Sequence, residues 1–211
     1  PENKIGLIVD EWGNWHDAEP GSVPGFLYQQ NTLRDAITAS IYLNVFNNHC
    51  DRVKMANIAQ TVNVLQAMVL TKETELVKTP TFYVFKMYTV HHDALLLPVE
   101  VNSEQYSFNE ESIPALSVSA SKNNIGEINI TIANANPNKG ISTTVVIADE
   151  GKYQAVKAEL ITSSEMNDYN DFGKEELINI QEFKDFKVKG NEVQVEMPAK
   201  SVILITLAGK E

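Results

Sequence analysis

The run Ile5-Gly6-Leu7-Ile8-Val9 leads directly into Asp10-Glu11-Trp12-Gly13-Asn14-Trp15-His16-Asp17. A short, continuous apolar run is typical of a strand that is buried on both faces of a parallel sheet. We therefore predict a strand at residues 5–9 and a loop that begins at Asp10. Acidic, aromatic and imidazole side chains are dense in this loop, so we expect the chemistry of the chain where the strand ends.

Strand and helix signals alternate after this run. Apolar residues at helical spacing predict a helix that ends near 47–49, with Thr32 as its N-cap and Asp35 in its first turn. A second buried strand at 53–58 and a short helix follow, and Thr79-Pro80 begins another helix. Such repeats indicate parallel β/α units. Because a closed (β/α)8 barrel needs about 250 residues, two units form only part of one.

The pattern changes to a period of two in the second half of the chain. Alternating apolar residues predict strands at 116–121, 128–133 and 193–197, and an apolar run at 202–207 predicts a closing strand. Turn sequences rich in Asn and Gly separate them, which favours an antiparallel β-sandwich. We place the domain boundary near 93–98, which gives a β/α part at 1–93 and a sandwich at 94–211.

The composition of the 211 residues argues against several classes of protein. A net charge of -11 and a pI of about 4.8 argue against nucleic acid or an anionic membrane as partner, because both attract a basic surface. No apolar run reaches the roughly 20 residues that span a bilayer. One cysteine allows no internal disulfide framework. The abrupt start at Pro1 is what we expect of a chain entered in the middle of a fold.

The loop after the first strand has the residue types of a sugar site. Carboxylates such as Asp10 and Glu11 supply acid–base or nucleophilic groups, and the indoles of Trp12 and Trp15 offer flat faces to sugar rings. The carboxyl ends of barrel strands form the active face of such enzymes. The alternative is a polar loop whose two tryptophans pack beneath the sheet.

A second group of polar side chains lies at and beyond the end of the 53–58 strand. Asn57, Gln60 and Asn63 carry amides, which both donate hydrogen bonds to hydroxyl groups and accept them. The alternative is that they cap the next helix and satisfy loop backbone groups. For Asn63 this alternative is at least as good as a role in binding.

Other clusters carry weaker signals. His91-His92-Asp93 is interpreted as a solvated helix end, because adjacent residues on a helix do not face each other. Cys50 is expected to be inert, and the glycosylation sequon at 129–131 falls within a predicted strand. Acidic residues at 168–171 and 175–176 are interpreted as solvated, with a Ca²⁺ site left open.

Three ordered segments resemble the family 51 glycoside hydrolases, the α-L-arabinofuranosidases. Val9-Asp10-Glu11-Trp12-Gly13-Asn14-Trp15 resembles the nucleophile segment of that family. Residues 33–64 and 79–88 resemble its next segments, and the β-rich remainder resembles its C-terminal sandwich more loosely. The resemblance implies the last two β/α units of a (β/α)8 barrel, followed by a jelly-roll-like antiparallel β-sandwich.

The resemblance also implies a retaining glycosidase mechanism and roles for individual side chains. Glu11 would be the nucleophile, because retention requires a carboxylate that forms and then releases a glycosyl ester. Asp10 and Trp12 would support the nucleophile from behind. Trp15, Gln60 and Asn57 would contact the substrate.

One catalytic group of this family is missing from the chain. Retaining hydrolysis uses a second carboxylate about 5–5.5 Å from the first as general acid and base. In the family it follows an Asn well upstream of the nucleophile, where this chain has only ten residues. Asn109-Glu110 and Asn191-Glu192 have the dipeptide but lie in the β-rich part, so we reject both. We therefore expect that the chain is the C-terminal part of a longer or split enzyme. We also expect that the isolated chain is inactive.

The implied substrate is an arabinofuranosyl-containing polysaccharide or oligosaccharide of the arabinan or arabinoxylan type. A missing N-terminal barrel portion or a second polypeptide is expected to cover the unpaired strand edges and apolar faces. The resemblance implies that the complete enzyme is a homo-oligomer and that it uses neither a metal nor an organic cofactor. The alternative function is a non-catalytic β-sandwich module that binds carbohydrate or has a structural role, although the aromatic residues after 94 form no evident binding platform.

Overall fold

The computed structural model of the chain describes residues 4–210. Pro1 to Asn3, where the expected abrupt start lies, and Glu211 are outside the described residues. No helix in this described range is long and apolar enough to cross a membrane.

The described residues form helices, short 3-10 turns and strands. The helices are α1 (Leu33–Asn48) and α2 (Pro80–Tyr88), and the 3-10 turns are Pro24–Phe26 and Thr89–His91. The strands are β1 (Leu7–Trp12), β2 (Val53–Ile58), β3 (Val69–Lys72), β4 (Glu75–Lys78), β5 (Leu95–Leu97), β6 (Gln105–Phe108), β7 (Glu111–Pro114), β8 (Leu116–Lys122), β9 (Ile128–Asn134), β10 (Ile141–Val146), β11 (Tyr153–Ile161), β12 (Gln181–Glu182), β13 (Phe186–Lys189), β14 (Glu192–Met197) and β15 (Ser201–Gly209).

Both predicted helix starts are confirmed. The backbone N–H of Thr32 donates to Oδ2 of Asp35 at 2.8 Å, so the third residue of α1 folds back on its N-cap. The N–H of Phe82 donates to Oγ1 of Thr79 at 3.3 Å, and Pro80 follows as the first residue of α2. Proline is favoured there because this position needs no N–H donor.

Strands β1 and β2 pair in parallel, and the bounds of β2 are as predicted. The predicted bounds of the first strand are wrong, because the pairing continues until Trp12 lies opposite Ile58. The predicted burial on both faces is also wrong: Leu7 and Ile8 are 49% and 57% exposed. Asp10 and Glu11, which also belong to the strand, are exposed in this chain as well.

The short helix predicted after β2 is wrong, because β3 and β4 form an antiparallel hairpin there. The hairpin turns at Glu73, which has a positive φ of 54°. Val69 and Thr71 are β-branched residues, which favour a strand over a short helix.

The second half of the chain contains two facing antiparallel sheets. Their strand orders are β12-β11-β15-β9-β8-β5 and β10-β14-β13. Apolar side chains from both sheets form one cluster, which includes Ile132, Val195 and Ile205. The prediction of an antiparallel β-sandwich is therefore confirmed.

The other face of the six-stranded sheet is covered by the helices. Leu33 and Ile37 of α1 and Val84 of α2 belong to one cluster with Val202 and Leu204 of β15. Strand β15 is consequently buried on both faces. The β/α part and the sandwich share a hydrophobic core.

A buried polar layer joins α1 to this sheet. The amide oxygen of Asn44 accepts hydrogen bonds from Tyr88, Ser119 and Thr131 at 2.9–3.0 Å. The ring of His91 extends the layer, with Nδ1 2.7 Å from Oγ of Ser121 and Nε2 3.1 Å from Oγ1 of Thr131. The interpretation of 91–93 as a solvated helix end is therefore wrong for His91, because the sheet covers its ring.

Candidate active site

The end of β1 presents Glu11 to solvent and Trp12 to the interior. Trp12 is 7% exposed, and its ring centroid lies 5.3 Å from that of Tyr42, 5.5 Å from Phe46 and 6.0 Å from Phe85. Because neighbouring strand residues point to opposite faces, Glu11 lies on the exposed side. Packing, rather than stacking on a sugar, therefore explains Trp12.

The end of β2 lies beside the end of β1. Ala56 and Ile58 pack toward the helices, so Asn57 between them is on the exposed face. Nδ2 of Asn57 donates a hydrogen bond to the carbonyl oxygen of Asp10 at 3.2 Å. The N–H of Ala59 donates to the carbonyl oxygen of Trp12 at 2.9 Å. The predicted residues Asp10, Glu11 and Asn57 are therefore neighbours.

Gln60 is the next residue after Ala59, and its side chain is exposed. The peptide bond between Ala59 and Gln60 is cis. Asn63 has a different role, since its Oδ1 accepts from the N–H of Thr71 at 2.7 Å and its Nδ2 donates to Oγ1 of the same residue at 2.9 Å. The alternative interpretation of Asn63, as a residue that satisfies loop backbone, agrees with these contacts.

The loop after β1 is fixed on both sides of Trp15. The N–H of Asn14 donates to Oε1 of Gln66 at 2.8 Å, and the N–H of His16 donates to Oε1 of Gln29 at 2.9 Å. Trp15 lies between these two anchored residues and is 69% exposed. Its indole is thus presented to solvent from a fixed backbone.

Gly13 allows this loop to approach β2 closely. Its φ is +147°, and a Cβ atom there would lie 3.4 Å from the carbonyl oxygen of Ala59 and 3.4 Å from the side chain of Gln66. Any side chain at this position would strain the backbone.

Asp35 is the fully buried centre of the anchoring network. Its Oδ1 accepts from Nδ2 of Asn14 at 2.8 Å and lies 3.5 Å from Nε2 of His16. Nη2 of Arg34 lies 3.3 Å from its Oδ2, and Nε2 of Gln66 donates to its carbonyl oxygen at 2.8 Å. One carboxylate therefore fixes both the start of α1 and the loop after Glu11.

Gln29 and Gln66 are site-supporting residues that the sequence did not reveal. Both are buried, and Gln66 lies between buried Leu65 and Ala67. A polar residue inside an apolar triplet is a usable signal, since buried amides are retained where their hydrogen bonds are satisfied.

Further titratable side chains lie at Tyr28 and in the acidic loop at 165–174. Burial and, next, the charge of Glu19 raise the pKa of Tyr28, which keeps its phenol protonated. Within residues 4–210, no three His, Cys, Asp or Glu side chains are arranged to hold a metal ion. In the acidic loop, Oδ2 of Asp168 accepts from the N–H of Glu165 at 3.0 Å and Lys174 pairs with Asp171 at 2.8 Å.

Comparisons with known proteins identify the family of the chain. The model of the α-L-arabinofuranosidase C-terminal domain family matches residues 10–201. An intracellular exo-α-L-arabinofuranosidase of Bacteroides ovatus is 46% identical over 98% of the chain and 40% of its own length. The crystal structure of a GH51 arabinofuranosidase from Xanthomonas axonopodis pv. citri superposes with a TM-score of 0.93, at 38% identity over 97% of this chain and 41% of that one. The chain belongs to the family 51 α-L-arabinofuranosidases.

A more distant relative shares the fold of this family 51 chain. The family 51 α-L-arabinofuranosidase from Bifidobacterium longum is 22% identical, with a TM-score of 0.85 over 98% of this chain and 42% of that one. The family 51 chain spans about two fifths of the length of the relatives that it matches.

Proposed function

We propose that the protein containing this chain is a retaining glycoside hydrolase that removes terminal α-L-arabinofuranosyl groups from arabinan- or arabinoxylan-type polysaccharides and oligosaccharides. The observation that carries the proposal is the position of Glu11, exposed at the carboxyl end of a parallel strand and beside Asn57. Carboxyl ends of parallel strands form the active face of barrel enzymes. Membership in family 51 supports the same activity.

In the proposed mechanism Glu11 acts as the nucleophile. A carboxylate oxygen forms a bond to the anomeric carbon while the glycosidic C–O bond breaks, and the leaving oxygen takes a proton from a general acid. Water then attacks the glycosyl ester and gives its proton to the same acid–base group. The bond to Glu11 breaks with its electron pair, which releases arabinose and restores the carboxylate.

The remaining candidate residues have binding or supporting roles in this proposal. Trp15 flanks the sugar from its anchored loop, and Gln60 and Asn57 hydrogen-bond hydroxyl groups. Trp12 supports Glu11 from the helix side, and Asp10 supports it through the hydrogen bond that its carbonyl oxygen accepts from Asn57.

We propose that residues 1–93 are the last two units of a (β/α)8 barrel and residues 94–211 a jelly-roll-like sandwich. The exposed apolar side chains Leu7, Ile8 and Met55 on β1 and β2 support a covering by further barrel strands. Nε1 of Trp12 is buried with no hydrogen-bond partner among residues 4–210, which supports an acceptor from outside this range.

The covering strands come from an upstream portion or a second polypeptide, which also supplies the general acid–base carboxylate. The 211-residue chain by itself is then inactive. The complete enzyme is proposed to be a homo-oligomer, with no cofactor.

The test compares Glu11→Gln with Asp17→Asn in the full-length enzyme. Asp17 is an exposed acid of the same loop and serves as the matched control. Loss of the nucleophile is expected to lower kcat roughly 10⁴-fold or more, and the control to retain the parent rate. Full activity of Glu11→Gln, or Glu11-dependent activity of the 211-residue chain alone, would contradict the proposal.

A further inference from the structure

One loop of the sandwich reaches the start of α1, beside the proposed site. This loop, residues 162–180, connects β11 to β12. The N–H of Leu33 donates to the carbonyl oxygen of Asp168 at 2.9 Å, and the N–H of Arg34 donates to the carbonyl oxygen of Met166 at 3.0 Å. These N–H groups belong to the first two residues of α1, which have no acceptor within the helix. The sandwich therefore supplies the acceptors that the first turn of α1 lacks.

Asn170 is the buried centre of the 162–180 loop and is 2% exposed. Its Oδ1 accepts from the N–H of Ile178 at 2.8 Å, and its Nδ2 donates to the carbonyl oxygen of the same residue at 2.7 Å. Nδ2 also donates to the carbonyl oxygen of Lys78 at 2.9 Å, directly before the N-cap of α2. A buried amide that is paired in this way fixes the segments that it joins.

The first anchor of Trp15 is connected to Asn170. This anchor is Gln29, which accepts from the N–H that follows the indole. The next residue, Gln30, donates from its Nε2 to the carbonyl oxygen of Asn170 at 3.4 Å. The segment that holds one side of the Trp15 backbone is therefore tied to the sandwich.

The second anchor of the indole is connected to the same asparagine. This anchor is Gln66, and Ala67 follows it. Oγ1 of Thr79 donates to the carbonyl oxygen of Ala67 at 2.8 Å. Thr79 in turn follows Lys78, whose carbonyl oxygen accepts from Asn170. Both sides of the indole are thus held through one buried side chain of the sandwich.

We propose that Asn170 is a positioning residue of the active site and that it acts through Trp15. The inference rests on the proposed function. Asn170 places the segments that carry the two anchoring glutamines, and these fix the backbone on either side of the indole. A displacement of about 1 Å in a substrate-positioning group can cost up to about 100-fold in rate. A residue of the sandwich thereby controls the geometry of a site that lies in the β/α part.

The test compares Asn170→Ala with Asn134→Ala in the full-length enzyme. Asn134 is also a fully buried asparagine of the sandwich, and its amide pairs with the backbone of Lys139, Pro198 and Asn136. Both variants are expected to lower the melting temperature to a similar extent. At a temperature where both are folded, Asn170→Ala is expected to lower kcat/KM for 4-nitrophenyl α-L-arabinofuranoside roughly tenfold. Asn134→Ala is expected to change it less than twofold.

The same substitution in a Trp15→Ala background separates positioning from stability. There, Asn170→Ala is expected to change kcat/KM less than twofold, because the side chain that it positions is already absent. An undiminished tenfold loss in that background would contradict the proposal. Equal kcat/KM values of Asn170→Ala and Asn134→Ala in the parent background would contradict it as well.

A second variant tests the connection if Asn170→Ala does not fold. Thr79→Val keeps the branched shape of the side chain but removes the hydroxyl that donates to Ala67. It is expected to lower kcat/KM roughly fivefold, and a parent value would contradict the proposal. Failure of the proposed function has a separate signature, full activity of Glu11→Gln, which says nothing about Asn170.

Discussion

Strands β1 and β9 have similar apolar residues but opposite surroundings. Ile8 of β1 is 57% exposed, whereas Ile132 of β9 is 1% exposed. Strand β9 lies between the helices, through Thr131 and Asn44, on one face and the three-stranded sheet on the other. Strand β1 pairs only with β2 among residues 4–210. Burial is therefore decided by what covers a strand, which an apolar run does not specify.

The largest predicted difference in stability follows from this contrast. Ile132→Ala is expected to lower the free energy of unfolding of the 211-residue chain by roughly 2–5 kcal/mol, because it leaves a cavity. Ile8→Ala in the same chain is expected to change it by less than about 0.5 kcal/mol. Urea unfolding of the three proteins measures both values.

The same two variants in the full-length enzyme test whether barrel strands cover β1. If barrel strands cover β1, Ile8→Ala then costs about as much as Ile132→Ala. An effect of Ile8→Ala that stays small there would contradict the proposed barrel.

Local signals in the sequence predicted the elements that depend on local chemistry. The Thr32–Asp35 and Thr79–Pro80 caps gave both helix starts, and period-two alternation gave β14 and β9. The short helix predicted after the 53–58 strand is instead the β3–β4 hairpin, whose turn at Glu73 carries no Gly or Asn signal.

Features that depend on distant contacts could not be predicted in the same way. The first strand extends to Trp12 because of pairing with β2, some 46 residues further on. The sequence predicts a solvated His91, because the strands that cover its ring, β8 and β9, follow much later in the chain. The roles of Gln29 and Gln66 depend on a loop that reaches them only in the folded chain.

The next prediction concerns the anchor between the exposed strand pair and the buried core. Asp35→Ala removes the acceptor for Thr32 and Asn14 and is expected to lower the free energy of unfolding by roughly 2–4 kcal/mol, from a lost cap and unsatisfied donors. Asp17→Ala, at an exposed acid, is the control and is expected to change little. Equal free energies of unfolding of the two variants in urea would contradict the anchoring role of Asp35.

A smaller effect is expected from pH acting on the buried polar layer. Burial, with a further contribution from the charge of His92, lowers the pKa of His91 to about 4. The unfolded chain takes up a proton at a pKa of about 6.5, so between about pH 6.5 and 4 it binds more protons than the folded chain. Stability from neutral His91 is complete near pH 7 and falls as the pH decreases through this window.

The size of this effect is about 2 kcal/mol between pH 7 and 4.5. It is measured as the pH-dependent loss of unfolding free energy that disappears in His91→Gln. His49→Gln, at an exposed histidine, is expected to keep the parent pH dependence. An unchanged pH dependence in His91→Gln would contradict the role of this ring.

The central claim is that Glu11, at the exposed end of β1, forms the covalent bond to the sugar. The direct measurement is mass spectrometry of the full-length enzyme after reaction with a 2-fluorinated α-L-arabinofuranosyl substrate, whose ester is hydrolysed slowly. The predicted result is a mass increase of one fluorinated pentosyl unit, located on Glu11 by peptide mapping. An adduct on another carboxylate, or turnover with inverted anomeric configuration and no adduct, would contradict the account.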